Sequence, residues 1–120
     1  MADHNELGKK GEEIALQFLT DKGFTILETN WQFGKEEIDI IAINKTHLIV
    51  VEVKSRSTSK FGEPWDSVNK NKQRLLVRAA QKYCERFRIT QEVRFDIISI
   101  VMNGTIAEVT HMEDAFYPVL

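Results

Sequence analysis

Two neighbouring stretches, residues 36–43 and 47–56, constrain the chain most, because each has the apolar, β-branched make-up of an interior strand and each takes charge into it. Side chains on a strand alternate between faces. Glu52, Lys54 and Arg56 therefore share one face and Val51 and Val53 the other, while the same period puts Glu37, Asp39 and Ile41 together, opposite Ile38, Ile40 and Ala42. Each strand has one charged face.

A two-residue loop at Lys45 and Thr46 would lack the Gly or Asn of a type I′ turn, so the spacing predicts a four-residue hairpin loop over 44–47. Either loop pairs Ile43 with Leu48, which carries Asp39 opposite Glu52 and Glu37 opposite Lys54, with Cβ atoms roughly 5 Å apart. Two opposed carboxylates repel each other. A divalent cation held by both removes the conflict; Lys54, one step along the same face, neutralises part of it without any ion, and both readings stand. A register slipped by one residue would send Asp39 to the other face and dissolve the constellation.

The chain in order adds a helix over residues 5–22, with Leu7, Ile14, Ala15, Phe18 and Leu19 as its apolar stripe and Gly23 as its stop. Gly8 and Gly11 are costly inside a helix, which points to close approach of its backbone to a neighbouring layer or ligand. Glu12 flanks the buried stripe, an ordinary place for a solvated first-turn acid. Residues 24–33 read as a strand, turned at Gly34 into the strand bearing Asp39. Residues 57–65 carry loop signals throughout, including Lys60, Phe61 and Trp65. Asp66 or Ser67 caps a second helix running to Phe87, with Lys72 on its inward stripe and Cys84 as a small core residue. Residues 94–102 form a buried strand on which Arg94 and Asp96 share a face and can pair. Asn103 and Gly104 turn it into a second hairpin, and residues 113–116 make a closing helical turn. The pattern is α/β: a mixed five-stranded sheet flanked by helices, in the order α-β-β-β-α-β-β, as one domain over 1–120.

A net charge of −2 taken whole argues against a polyanion as partner, but its distribution does not. Residues 1–53 carry 5 basic and 10 acidic side chains, residues 54–78 carry 7 and 2, and residues 79–120 carry 4 and 6. The basic block reads either as a phosphate-facing patch, through Arg56, Lys60, Lys70, Lys72 and Arg74, or as a solvated helix face. No apolar run reaches membrane-spanning length, the N-terminus has no signal-peptide pattern, and one cysteine makes no disulfide framework, so the expected compartment is the cytoplasm.

Asp39 followed on the next strand by Glu52, Val53 and Lys54 resembles the acid and (D/E)xK core of the PD-(D/E)XK nuclease superfamily. A wider series is similar to the YraN family of bacterial proteins, regarded as endonucleases with a fold like the archaeal Holliday junction resolvases. The series comprises Gly8, Gly11, Glu12, Ala15, Gly23, Asn30, residues 37–42, residues 51–54, Arg56, Gly62, Lys72, residues 94–96, Ala115 and Phe116. Glu36 stands where that family usually has Gly, and Ile38 where the superfamily has Pro. The resemblance implies a restriction-endonuclease-like core and Mg²⁺ or Mn²⁺ held by Asp39, Glu52 and the Val53 carbonyl. Glu12 would be a further ligand facing the metal site, Lys54 would stabilise the nucleophile, and Glu37 would orient Lys54 or a water. Scattered His4, His47 and His111 and a lone cysteine speak against zinc. The implied activity is hydrolysis of phosphodiester bonds in branched or junction DNA, by a homodimer if the likeness to resolvases extends so far. The rival reading is a noncatalytic DNA-binding accessory protein of recombination, repair or DNA uptake.

Overall fold

The structure, a computed structural model, describes residues 4–57 and 68–116. The first apolar stripe winds helix α1 (His4–Asp21), which Gly23 ends in the left-handed region at φ +95°. Strands β1 (Thr25–Phe33), β2 (Glu36–Ile43) and β3 (His47–Arg56) follow, then helix α2 (Lys70–Phe87) and strands β4 (Glu92–Asn103) and β5 (Ile106–Met112). The sheet runs β1-β2-β3-β4-β5, antiparallel except between β3 and β4, which α2 joins in parallel. This is the mixed five-stranded α/β arrangement that the sequence pattern predicts.

Each helix covers one face. Ala15 and Leu19 of α1 pack over Ile40, Ala42, Ile49, Val51, Ile98 and Ile100, while Leu76, Val77, Ala79, Ala80 and Tyr83 of α2 pack over Ile41, Leu48, Val50, Phe95 and Ile97. Burying each of these isoleucines or leucines contributes about 1.5–3 kcal/mol, which anchors the strands that present the charges. Gly11 lets α1 approach β3: a Cβ there would run into the Ser55 Oγ and stand 2.8 Å from Ser55 Cβ. Gly8 has open space around it, so no close approach explains it.

Several local expectations are corrected. Three residues, not four, separate β2 from β3, because Asn44 Oδ1 accepts from the Thr46 and His47 N–H groups and closes the loop early. Helix α2 is capped by Asn69, whose Oδ1 accepts from the Lys72 N–H at 2.9 Å; Asp66 and Ser67 lie outside the described residues, as do Lys60, Phe61 and Trp65. Residues 113–116 form a turn with Asp114 at φ +55°, not a turn of helix, tied down by the Ala115 N–H on the Phe95 carbonyl.

The hairpin register is the expected one, Ile43 opposite Leu48 through Ile40 opposite Val51, but the ladder stops there. Asp39 and Glu52 are not ladder partners. On the other side of β2, Trp31 pairs with Ile38 and Thr29 with Ile40, while Asn30 between them adopts φ +51° and skips Asp39. Ile38 accordingly packs with Ile41 under α2, where strict alternation would place it with Ile40 under α1. The sheet is broken at Asp39. Among the described residues, no helix is long and apolar enough to cross a membrane.

Candidate active site

The break in β2 turns Asp39 toward β3. Its Oδ2 accepts from the Val53 N–H at 2.8 Å, in place of a strand partner. On the neighbouring residue, Glu52 is 4% exposed and its Oε1 has no hydrogen-bond partner. Burial first, and then the Asp39 carboxylate, pushes the Glu52 carboxyl up to about 8, against the opposing pull of Lys72 and Lys54. The two acids that the register places opposite each other therefore do converge, through a broken ladder.

Asp39 opens on a cavity of about 310 Å³, lined also by Glu12, Asn30, Glu37, Val53, Lys54 and Ser55 together with Leu7 and Gly8 of α1; Glu52 lies buried behind Asp39 and is not part of the lining. Burial raises the pKa of Glu12, and Asp39 and Glu37 add to it, while the Asn30 amide, donating to Glu12 Oε1 at 2.8 Å, pulls the other way. Glu37 accepts from Gln32 Nε2 at 2.7 Å and makes no ion pair with Lys54, so of its two expected roles, orienting Lys54 or orienting a water, the first has no contact behind it. Lys72 reaches in from α2 and donates to Glu36 Oε2 at 3.0 Å. Its burial alone would lower its pKa, but the Glu36 bond and the Glu52 and Asp39 charges outweigh that and raise it. Arg56 is half-buried at the end of β3; Lys70 and Arg74 are exposed on α2. Lys60 lies outside the described residues.

Sequence reasoning assigns no role to Glu36, Gln32 or Asn30. For Asn30 a signal exists, since asparagine tolerates the left-handed conformation better than other residues a strand contains. For Glu36 none does, because its partner lies 36 positions away.

A second buried acid shows what a satisfied one looks like. Asp96 is fully buried, yet its carboxylate accepts from Arg94 Nε and Nη2 at 2.9 Å each, from His111 Nε2 at 2.7 Å and from the Asp114 N–H at 3.0 Å. Burial works to raise its pKa, but these bonds, His111 first, hold it below the usual carboxylate value. Lys22 Nζ stands 2.9 Å from His111 Nδ1; lysine only donates, so Nδ1 accepts and the Nε2 proton faces Asp96. Asp96 is a structural clamp. Glu52 has no such partners.

An orphaned buried carboxylate oxygen beside a second carboxylate suits a hard divalent cation, which takes oxygen ligands. Among the described residues no three His, Cys, Asp or Glu side chains stand together as a finished cage, since Asn30 draws the Glu12 carboxylate toward β1.

A profile of the uncharacterised protein family UPF0102 matches residues 11–100. A UPF0102 protein of Flavobacterium psychrophilum is 49% identical over 117 residues, spanning 98% of both chains. One from Phocaeicola vulgatus is 46% identical over 118 residues, again 98% of each, and one from Bacteroides thetaiotaomicron is 42% identical over 120 residues, covering 100% of this chain and 99% of its own. The match runs through the Glu12, Asp39, Glu52 and Lys54 positions and, with the relatives, over nearly the full length, so the chain belongs to the UPF0102, or YraN, family.

Proposed function

We propose that the Asp39–Glu52 cluster is the active site of a metal-dependent endonuclease that hydrolyses phosphodiester bonds in branched or junction DNA. One observation carries the reading: Glu52 is buried, unpartnered at Oε1 and forced against Asp39, a conflict that costs stability and that a hard cation would relieve. Asp39 and Glu52 would hold the ion, Mg²⁺ or Mn²⁺. A residue's C=O leaves a strand on the same side as its N–H, so the Val53 carbonyl faces the gap into which its N–H points and would be a third ligand. Glu12 would join after leaving Asn30. Bound there, the ion supplies a hydroxide at neutral pH and absorbs charge on the phosphate oxygens.

This chain's own residues do the rest. Lys54, half-buried in the cavity wall, stabilises the attacking oxygen and the negative charge that grows on phosphorus. Lys72 holds a second positive charge near the acids while tethered to Glu36. Water adds to phosphorus, the P–O bond to the leaving sugar breaks, and that oxygen takes up a proton. The test is cleavage of a panel of linear, flapped and four-way DNAs with Mg²⁺ and with Mn²⁺. Cutting that disappears in Glu52→Gln and Lys54→Ala supports the reading; no cutting of any DNA overturns it. Glu12 held on Asn30 favours the alternative, a noncatalytic DNA-binding accessory protein, which the panel would reveal as binding without turnover.

A further inference from the structure

Beside the site, at the free edge of β1, a second cavity of about 480 Å³ opens between the β1–β2 hairpin and the C-terminal half of α2. Trp31, Phe33 and Gly34 form one wall and Lys82 and Arg86 the other. The Trp31 and Phe33 rings are stacked, 6.3 Å between centroids and 18° apart, and Trp31 is fixed edge-on against Tyr83 at 5.3 Å. Glu85 also lines the cavity and pairs with Lys82 at 4.0 Å, leaving Arg86 as the surplus charge. Gln32 lines this cavity while donating to Glu37 of the candidate active site, so the two hollows adjoin.

Lys82 and Arg86 also end a longer feature. Lys70, Arg74, Arg78, Lys82 and Arg86 recur every fourth residue of α2, and all five are exposed. Such a row runs about 24 Å along the helix, inclined about 26° to its axis. The tilt carries it across the outer face. Among the described residues, Lys70, Arg74 and Arg78 make no ion pair. The charge density read from sequence ends at Arg78; the row does not.

We infer that this cavity holds the base of an unpaired DNA nucleotide next to the cleavage site, with the phosphates of that strand laid along the cationic row of α2. Aromatic rings beside a positively charged track are the combination that holds single strands, because every base has a face to stack and every nucleotide a phosphate. Phosphates alone would need no rings, and the bases of an intact duplex are stacked on each other and cannot enter a recess. The inference rests on the DNA reading of the adjoining site and narrows its substrate to DNA with an unpaired segment.

The test uses the full chain in chelator, so that nothing is cut, with Trp65→Phe leaving Trp31 as the reporting tryptophan. Oligothymidylate should quench Trp31 emission, and a blunt-ended linear duplex of equal length should not. Phe33→Leu keeps the volume but removes the ring, and should weaken oligothymidylate binding about tenfold with its salt slope unchanged. The triple variant Arg78→Ala, Lys82→Ala, Arg86→Ala should lower the slope of log affinity against log salt by about 2, at roughly 0.7 per phosphate contact on a single strand. Unchanged Trp31 emission would overturn the inference, and so would a Phe33→Leu loss that is equal on duplex and single strand. Thermal melts confirm that each variant is folded. A chain that binds in this way yet cuts nothing refutes the nuclease reading and leaves the binding path standing.

Discussion

A carboxyl held near 8 inside a protein makes a measurable statement about stability. Between about 4.5 and 8 the folded chain keeps a proton on Glu52 that the unfolded chain has lost, so stability falls as pH rises through that window, by at most about 1.4 kcal/mol per pH unit. Glu52→Gln removes the dependence. In chelator its melting temperature should exceed the parent's by several degrees at pH 8 and by much less at pH 5; parallel pH profiles would mean that Glu52 is not the group under strain. Lys72→Ala should cost single-turnover cleavage more than DNA affinity, because the ammonium stands on Glu36 beside the acids and not on the outer row. Equal losses in both would move Lys72 into the binding surface. Asp39, Glu52 and Lys54 are legible as a group because the hairpin register brings their stretches of backbone together, although the broken alternation that turns Asp39 onto the Val53 amide is not. Glu36 and Gln32 were not, since their roles depend on which side chain another element delivers.

Among the elements, α1 offers a paired experiment. Alanine gains about 1 kcal/mol over glycine in a helix interior, so Gly8→Ala, in open space, should raise the melting temperature slightly. At Gly11 the same substitution drives a methyl into Ser55, and an overpacking cost of about 1–3 kcal/mol outweighs the gain, so Gly11→Ala should melt lower. Equal shifts would show that α1 does not bear on β3 as described. Asp96→Ala should cost a few kcal/mol, because it removes the partner of the half-buried Arg94, which keeps only Glu113, and leaves His111 Nε2 without its acceptor. The number, order and type of elements follow from hydrophobic period and turn residues. The break in β2 does not, because it arises where Asn30, on another strand, turns into the left-handed region and leaves Asp39 without a neighbour.

Across the whole molecule, an acidic chain has to gather its positive charge locally to meet DNA. Replacing Lys60, Lys70 and Arg74 with Ala should weaken binding to all DNA shapes alike and flatten its salt dependence, since phosphate contacts position without reading sequence. An unchanged salt slope would reduce the block to a solvated surface. The pause in strand pairing also has a mechanical side. Beyond Ile40 and Val51 the ladder between β2 and β3 has no further pairs, so the first half of β2 is held to the rest of the molecule by side chains instead: Ile38 under α2, Glu36 on Lys72 and Asp39 on the Val53 amide. The bond from the Val53 amide to Asp39 takes the place of the missing ladder pair. Asp39→Ala should speed hydrogen exchange at Val53 while the amides of residues 48–51 stay protected, so one side chain stands in for the backbone pairing that the sheet lacks at the acids.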